Sequence, residues 1–312
     1  MKPAALALIL SASLLGIGLV RAQTRPGDTA REAITPLPQH KGGDPRRIAL
    51  GRDLFFDRRM SRSKQLSCQS CHDLSTNGAT AAKTDRGDSG TVLRFNTPTV
   101  FNSVYSFRLG WEGGTRSLHD FSVGTLKSDH LMGGGGLAVR RLTAGGDMVA
   151  RFRAIYGNDP TEKNIADALA SFMETLVTPD APFDRWLRGD RSALTPQQIR
   201  GYNRFKVLGC ASCHQGMNVG ANIFQRRGIF HPLGEADPKF LRVPSLRNVT
   251  VTAPYFHDGS VSSLPEAIRQ MARSQLDLTI SDAEIADISA FLDSLTGSYK
   301  GRRLRPAAGS RK

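Results

Sequence analysis

The sequence predicts a mostly α-helical protein made of two copies of one domain plan. Three observations carry this. Helix-start signals recur along the chain, and strand signals are scarce. A five-residue cysteine motif also occurs twice, 142 residues apart, as Cys68-Gln69-Ser70-Cys71-His72 and Cys210-Ala211-Ser212-Cys213-His214. A length of 312 residues suits two domains of ordinary size. The apolar share of 39% excludes a disordered chain, a collagen-like repeat and a polytopic membrane protein.

Residues 1–22 read as an export signal. Lys2 supplies the positive start, Ala4 to Val20 carries no charge, and Val20-Arg21-Ala22 places small residues around a cleavage site. A retained anchor is the alternative, but the apolar run, about 17 residues, lies at the low edge of spanning length. Cleavage makes the mature protein soluble and periplasmic. Residues 23–44, rich in Pro, Gly and Thr, read as a mobile lead-in. An N-terminal domain is expected over 45–185 and a C-terminal one over 186–299. Ile165, Leu169, Phe172 and Leu176 fall on one helix face, stopped by Pro179. Thr195-Pro196-Gln197-Gln198 and Ser281-Asp282-Ala283-Glu284 are capping boxes opening two further helices. Residues 300–312 hold six basic side chains and no acidic one, and read as a disordered tail.

The balance of 42 Lys and Arg against 28 Asp and Glu gives +14, or +12 once Lys2 and Arg21 are removed with the signal. Such an excess is mostly solvated surface that can steer an acidic partner. No basic motif interleaved with aromatics points to nucleic acid.

The repeated C-x-x-C-H motif is the attachment signature of a c-type haem. Two thiols one helical turn apart add across the vinyl groups, and the next histidine falls under the iron. Export suits this chemistry, because such haems are attached outside the cytoplasm. A single four-cysteine zinc site competes, but zinc does not need a histidine after each pair. Thioredoxin-like redox pairs compete too, but no βαβ pattern surrounds either motif. The two motifs use every cysteine in the chain. The reading is therefore two covalent c-type haems, bound through Cys68, Cys71 and His72 and through Cys210, Cys213 and His214. After His214 the order is loop, Met271, then the Ser281 helix, as in a small cytochrome c domain. Met271 is a candidate thioether ligand, which raises a haem potential, or a core side chain of the helix begun near Leu264.

From Gly51 to Leu295 the chain resembles the bacterial di-haem cytochrome c peroxidases. The likeness runs through Gly51-Arg52-Asp53-Leu54-Phe55-Phe56 and Phe95-Asn96-Thr97-Pro98-Thr99-Val100-Phe101-Asn102. It continues in Pro182-Phe183-Asp184, Val243-Pro244-Ser245-Leu246-Arg247-Asn248 and Thr252-Ala253-Pro254-Tyr255-Phe256-His257-Asp258-Gly259. The resemblance implies two cytochrome c-like domains, each with one covalently attached c-type haem. It implies hydrogen peroxide as substrate at the first haem. A small periplasmic donor, a cytochrome c or cupredoxin, would deliver electrons at the second. Met271 falls on the family's axial methionine and Trp111 on the tryptophan between the haems. Asn96, Thr252 and Pro254 fall on an inter-domain calcium site, to which the last two would give backbone carbonyls. A homodimer is compatible with this reading.

The peroxide pocket departs from the family pattern at three places. Asp88 stands where a distal histidine is expected, Phe121 where a glutamine is, and Leu131 where a glutamate precedes Met132. Without a distal histidine the first haem should be open in the oxidised protein. O–O cleavage still needs a proton carrier, and a positioned acid–base group contributes roughly 10²–10⁴-fold. His130, Asp129 and His119 are the substitutes, His130 first, as it precedes the flexible Gly133–Gly136 run. Three functions follow: peroxide reduction, oxidation of side chains on a partner protein, or electron transfer without catalysis. Met271 leans against the second, whose known branch carries tyrosine there.

Overall fold

The computed structural model describes residues 32–39, 42–234 and 238–309. The expected export signal lies outside the described residues. Helix α1 (Pro45–Phe56) starts on Asp44, whose carboxylate accepts from Arg46 N. Then come α2 (Cys68–Cys71), α3 (Leu118–Lys127), α4 (Gly135–Thr143), α5 (Gly146–Tyr156) and α6 (Glu162–Met173). The second half holds α7 (Pro182–Leu187), α8 (Pro196–Val207), α9 (Leu264–Leu276) and α10 (Asp282–Asp293). The capping boxes expected at Thr195 and Ser281 open α8 and α10. Helix α6 ends at Met173, and the turn beyond it carries Leu176 into the core. Two short antiparallel ladders pair β1 (Phe224–Arg226) with β2 (Phe240–Arg242) and β3 (Ser298–Tyr299) with β4 (Arg302–Arg303). Among the described residues no helix is long and apolar enough to cross a membrane.

The two halves repeat one crossing. Helix α1 packs on α6 as α8 packs on α10. A glycine makes each approach. A Cβ at Gly51 would lie 1.8 Å from Ala168 O and 2.9 Å from Phe172 Cβ, and one at Gly201 would lie 1.9 Å from Asp287 O and 2.9 Å from Phe291 Cβ. The aromatic partners match as well, Phe55 with Phe172 at 5.4 Å and Phe205 with Phe291 at 5.1 Å between ring centres. Each crossing nucleates its own core. Leu50, Leu54, Phe55, Phe152 and Leu169 fill the first, and Tyr202, Phe205, Ile285, Ile288 and Phe291 the second. A fully buried side chain of this size stabilises by about 1.5–3 kcal/mol. A second pair of equivalents, Asn102 and Asn248, both left-handed at φ 62° and 63°, opens a 3₁₀ turn in each half. Their Nδ2 atoms donate to one shared hydroxyl, Thr178 Oγ1, at 2.9 and 3.2 Å.

Both chain ends differ from expectation. Residues 32–39 are no mobile lead-in but a strap across the second half, where Ile34 joins the core and Leu37 is fully buried. Leu37 N donates to Asp184 Oδ1 at 3.1 Å, and Tyr202 reaches Glu32. Two apolar residues and the backbone donors outweigh the polar composition that suggested disorder. Residues 300–309 are likewise ordered, against the expected disordered tail. The β3–β4 hairpin returns to the first half, Tyr299 packs on Phe101, and Leu304 enters the first core. The charge of this segment faces outward while its few apolar side chains anchor it. Phe183 and Leu187 of α7 pack in the second core.

Candidate active site

Each C-x-x-C-H motif forms a tight turn in which the histidine N–H donates to the first cysteine carbonyl, at 3.0 Å in both copies. Ser67 and Ser70 close a capping box around the first. His72 Nδ1 donates to Gly78 O at 3.1 Å, which fixes the tautomer and leaves Nε2 with its lone pair. Burial lowers the His72 pKa, so the ring is neutral and ready to ligate. His214 is more enclosed, and burial pushes its pKa down to about 4. Its Nδ1 is buried beside the carbonyls of Val219 and Pro244 with no hydrogen bond of normal geometry. Gly220 makes room for that ring, since a Cβ there would sit 2.2 Å from Pro244 O and 3.2 Å from His214 Nδ1. No disulfide joins any of the four cysteines. Burial pushes Cys68 up to about 12 and Cys71 and Cys210 up to about 11, which keeps them protonated rather than thiolate. Among the described residues no three His, Cys, Asp or Glu side chains converge as a metal cluster, so the cysteine pairs do not form one zinc site. Two neutral imidazoles, each following a pair of thiols in a tight turn, fit two haems.

The halves meet in a four-residue seam with internal symmetry. Trp111 sits two residues past Leu109 in a loop closed by the Leu109–Thr115 bridge, and His257 sits two past Tyr255 in a loop closed by the Tyr255–Val261 bridge. The two rings meet edge to face, 4.6 Å between centres. Trp111 Nε1 donates to Asn96 O at 2.8 Å, and His257 Nε2 donates to Arg242 O at 3.0 Å. Across the seam Asn96 N donates to His257 O and Arg242 N to Trp111 O, both at 2.8 Å. Burial pushes His257 down to about 4, so this ring too is neutral.

Helices α3 and α9 show where the halves part. Both are capped by a serine, Ser117 and Ser263. Eight residues on, the second half carries Met271 and the first carries Thr125, both half-buried. The Thr125 counterpart carries no signal of its own in the sequence, because the correspondence rests on the two serine caps.

The altered segments of the first half converge in part. Asp88 accepts from Ser63 N at 2.8 Å and from Ser63 Oγ, and its hydrogen bonds hold its carboxyl below the usual range despite partial burial. Asp88 N donates to Leu131 O at 2.8 Å, and Gly87 lies so close that a Cβ would meet His130 O at 1.8 Å. His130 therefore backs directly onto the Asp88 loop, with its ring exposed. Asp129 pairs with Arg62 at the rim of a 380 Å³ pocket lined by the glycine run. His119 is not brought to this place. Its Nε2 donates to Lys163 O at 3.2 Å, and it lines a separate 370 Å³ cavity with Arg47, Tyr156 and Asp167. Phe121 packs against the first core.

The profile of the di-haem cytochrome c peroxidases matches residues 45–192. The chain is 36% identical over 312 residues to the cytochrome c551 peroxidase of Nitrosomonas europaea, covering 95% of this chain and 93% of that protein. This chain belongs to the di-haem cytochrome c peroxidase family and is a peroxidase-like oxidoreductase. It is also 37% identical over 287 residues to the cytochrome c peroxidase Ccp of Escherichia coli K12, covering 86% of this chain but 62% of that longer protein. The crystal structure of a MauG-like protein associated with microbial copper homeostasis shares the fold, with a TM-score of 0.72 at 24% identity over 84% of this chain and 93% of that one.

Proposed function

We propose that the protein reduces hydrogen peroxide to water at the first haem, with electrons taken up at the second and passed between them through Trp111. The observation that carries this reading is the edge-to-face contact of Trp111 with His257, one ring from each haem-motif half, tied by backbone hydrogen bonds that cross the seam. Cys68 and Cys71 would hold one haem as thioethers and Cys210 and Cys213 the other, with His72 and His214 ligating through Nε2 and Met271 completing the second. The haems supply the redox equivalents and the metal that accepts peroxide. The chain supplies the proton. One proton must leave the inner peroxide oxygen and reach the outer one, and this reading assigns its carriage to His130, whose backbone adjoins the Asp88 loop, with Asp129 next to it in the chain.

Electron uptake fits the second half. Val207 and Met217, a few residues on either side of its C-x-x-C-H turn in sequence, are exposed apolar side chains, as are Phe224, Phe230 and Phe240 in the same half. A small cytochrome c or cupredoxin in the periplasm is the matching donor, reached after export through the N-terminal signal. Asn96 Nδ2 is committed to the carbonyls of Ala82 and Lys83, which leaves Oδ1, with the carbonyls of Thr252 and Pro254, for a calcium ion.

Steady-state peroxide consumption with a reduced small cytochrome c tests the reading. Two donor electrons should disappear per peroxide, and Trp111→Phe should keep both haems while slowing electron arrival at the first. A two-haem protein that consumes no peroxide with any reduced donor is an electron carrier instead.

A further inference from the structure

Arg242 breaks the symmetry of the seam. Its backbone does what Asn96 does in the other half, but its side chain does not. Asn96 is neutral and its amide is satisfied by two carbonyls at 3.0 and 3.2 Å. Arg242 is a cation with only 6% of its surface exposed. Its Nε donates to Gly110 O at 3.0 Å, and its guanidinium lies over Trp111, 5.1 Å from the ring centre. Among the described residues no carboxylate comes within ion-pair reach of it, and neither terminal nitrogen has an acceptor. The other deeply buried arginine shows the contrast. Arg247 pairs with Asp184 at 2.8 Å and donates to the carbonyls of Met217 and Thr35.

Burial alone acts on the Arg242 pKa, pushing it down to about 10, so the group stays charged at neutral pH. Removing a charge from water without a partner is strongly unfavourable, and a cation–π contact returns only part of the loss. Its two terminal nitrogens, unlike the fully enclosed orphaned atoms, remain open to solvent or to an anion that a bound group brings.

The position of Arg242 gives the chemical class of that anion. Gln225, opposite Leu241 on the β1–β2 ladder, reaches to 4.0 Å from Cys213 Sγ. Val243, the next residue, exchanges hydrogen bonds with Ala221 and Ile223, just beyond the His214 loop. Gly110 and Trp111 belong to the first half. The guanidinium therefore stands at the seam of the two halves, near the second haem motif and against Trp111 of the first half, and a haem carries two carboxylates on one edge. We propose that Arg242 binds a haem propionate through its two terminal nitrogens, so that one guanidinium joins a haem carboxylate to the face of Trp111. The inference rests on the two-haem reading. Arginine suits the task because its fork matches a carboxylate while its flat face stacks on an indole, which an ammonium cannot do. Either haem can supply the carboxylate.

A spectroelectrochemical titration of the loaded protein resolves the two haems and tests the proposal. A cation beside a haem favours the reduced form. Arg242→Gln should therefore lower one potential by a shift of at least about tenfold in the equilibrium constant, about 59 mV for one electron. Arg242→Lys should recover more than half of that shift. The haem whose potential falls is the one that supplies the propionate. Unchanged potentials in Arg242→Gln overturn the proposal. The same drop in a Glu235→Gln/Asp237→Asn variant also overturns it, because the partner would then be a carboxylate of the chain. Should Arg242→Gln fail to fold, resonance Raman on Arg242→Lys decides. The propionate bending band of one haem should shift as the fork is lost, and unmoved bands contradict the proposal. The mass of the wild-type protein checks the underlying reading separately: fewer than two haems removes that reading and the proposal with it, whereas two haems with unmoved potentials overturn the role of Arg242 alone.

Discussion

Trp111 and His257 hold the same place in the two halves, yet only one of them titrates. Burial pushes the His257 pKa down to about 4, against about 6.5 for a histidine in an unfolded chain. Its folded value lies below its unfolded one, so the unfolded chain takes the proton first. Stability is therefore full above about pH 6.5 and is lost as the pH falls toward 4, with a slope of up to about 1.4 kcal/mol per pH unit from this residue. His257→Asn, which keeps a donor toward Arg242 O, should lose that part of the slope when urea midpoints at neutral and mildly acid pH are compared. Equal slopes in variant and wild type would show that the imidazole is not held neutral. His130 poses the matching question for the chemistry. If it carries the proton, His130→Ala should slow peroxide cleavage by roughly 10²-fold or more while both haem spectra stay unchanged. Full activity in that variant passes the task to Asp129 or water, because His119 is tied to Lys163 O on another face.

At the scale of elements, the crossing of α8 with α10 is the part of the fold least tolerant of added volume. A Cβ at Gly201 would stand 1.9 Å from Asp287 O, so Gly201→Ala must part the helices. Overpacking of this kind costs about 1–3 kcal/mol. Gly136→Ala, whose nearest neighbour would be Arg140 Nη1 at 3.6 Å, is the control, and equal denaturation midpoints for the two variants would contradict the crossing. These helices were legible because their signals are local. A threonine or serine cap, a proline or acid in the first turn, and apolar residues every third or fourth position all lie within one stretch of chain. The haem-motif turns were legible for the same reason. The strap at 32–39 and the hairpin at 298–303 were not, since Ile34, Leu37 and Leu304 are isolated apolar residues in polar runs and their partners lie far away in sequence. The seam escaped too. Asn96, Trp111, Arg242 and His257 come from four separate segments, and only folding shows that they are two equivalent pairs.

The molecule as a whole is one plan used twice and finished differently. Both halves have the glycine crossing, the C-x-x-C-H turn, the left-handed asparagine and a serine-capped helix. On the proposed reading the second half closes its haem with Met271, a thioether that favours reduced iron and suits electron uptake. The first half carries Thr125 at the same step of the capped helix, and its Asp88 is engaged by Ser63. Neither offers the strong nitrogen or sulfur ligand that would seal an iron, so the asymmetry needed for one haem to deliver electrons and the other to meet peroxide is written in side chains rather than in backbone. The most direct test is the EPR spectrum of the fully oxidised protein carrying both haems. One low-spin ferric signal is expected from the second haem and one high-spin signal from an open first haem, which changes on adding peroxide without prior reduction. Two low-spin signals, unmoved by peroxide, would contradict an open first haem.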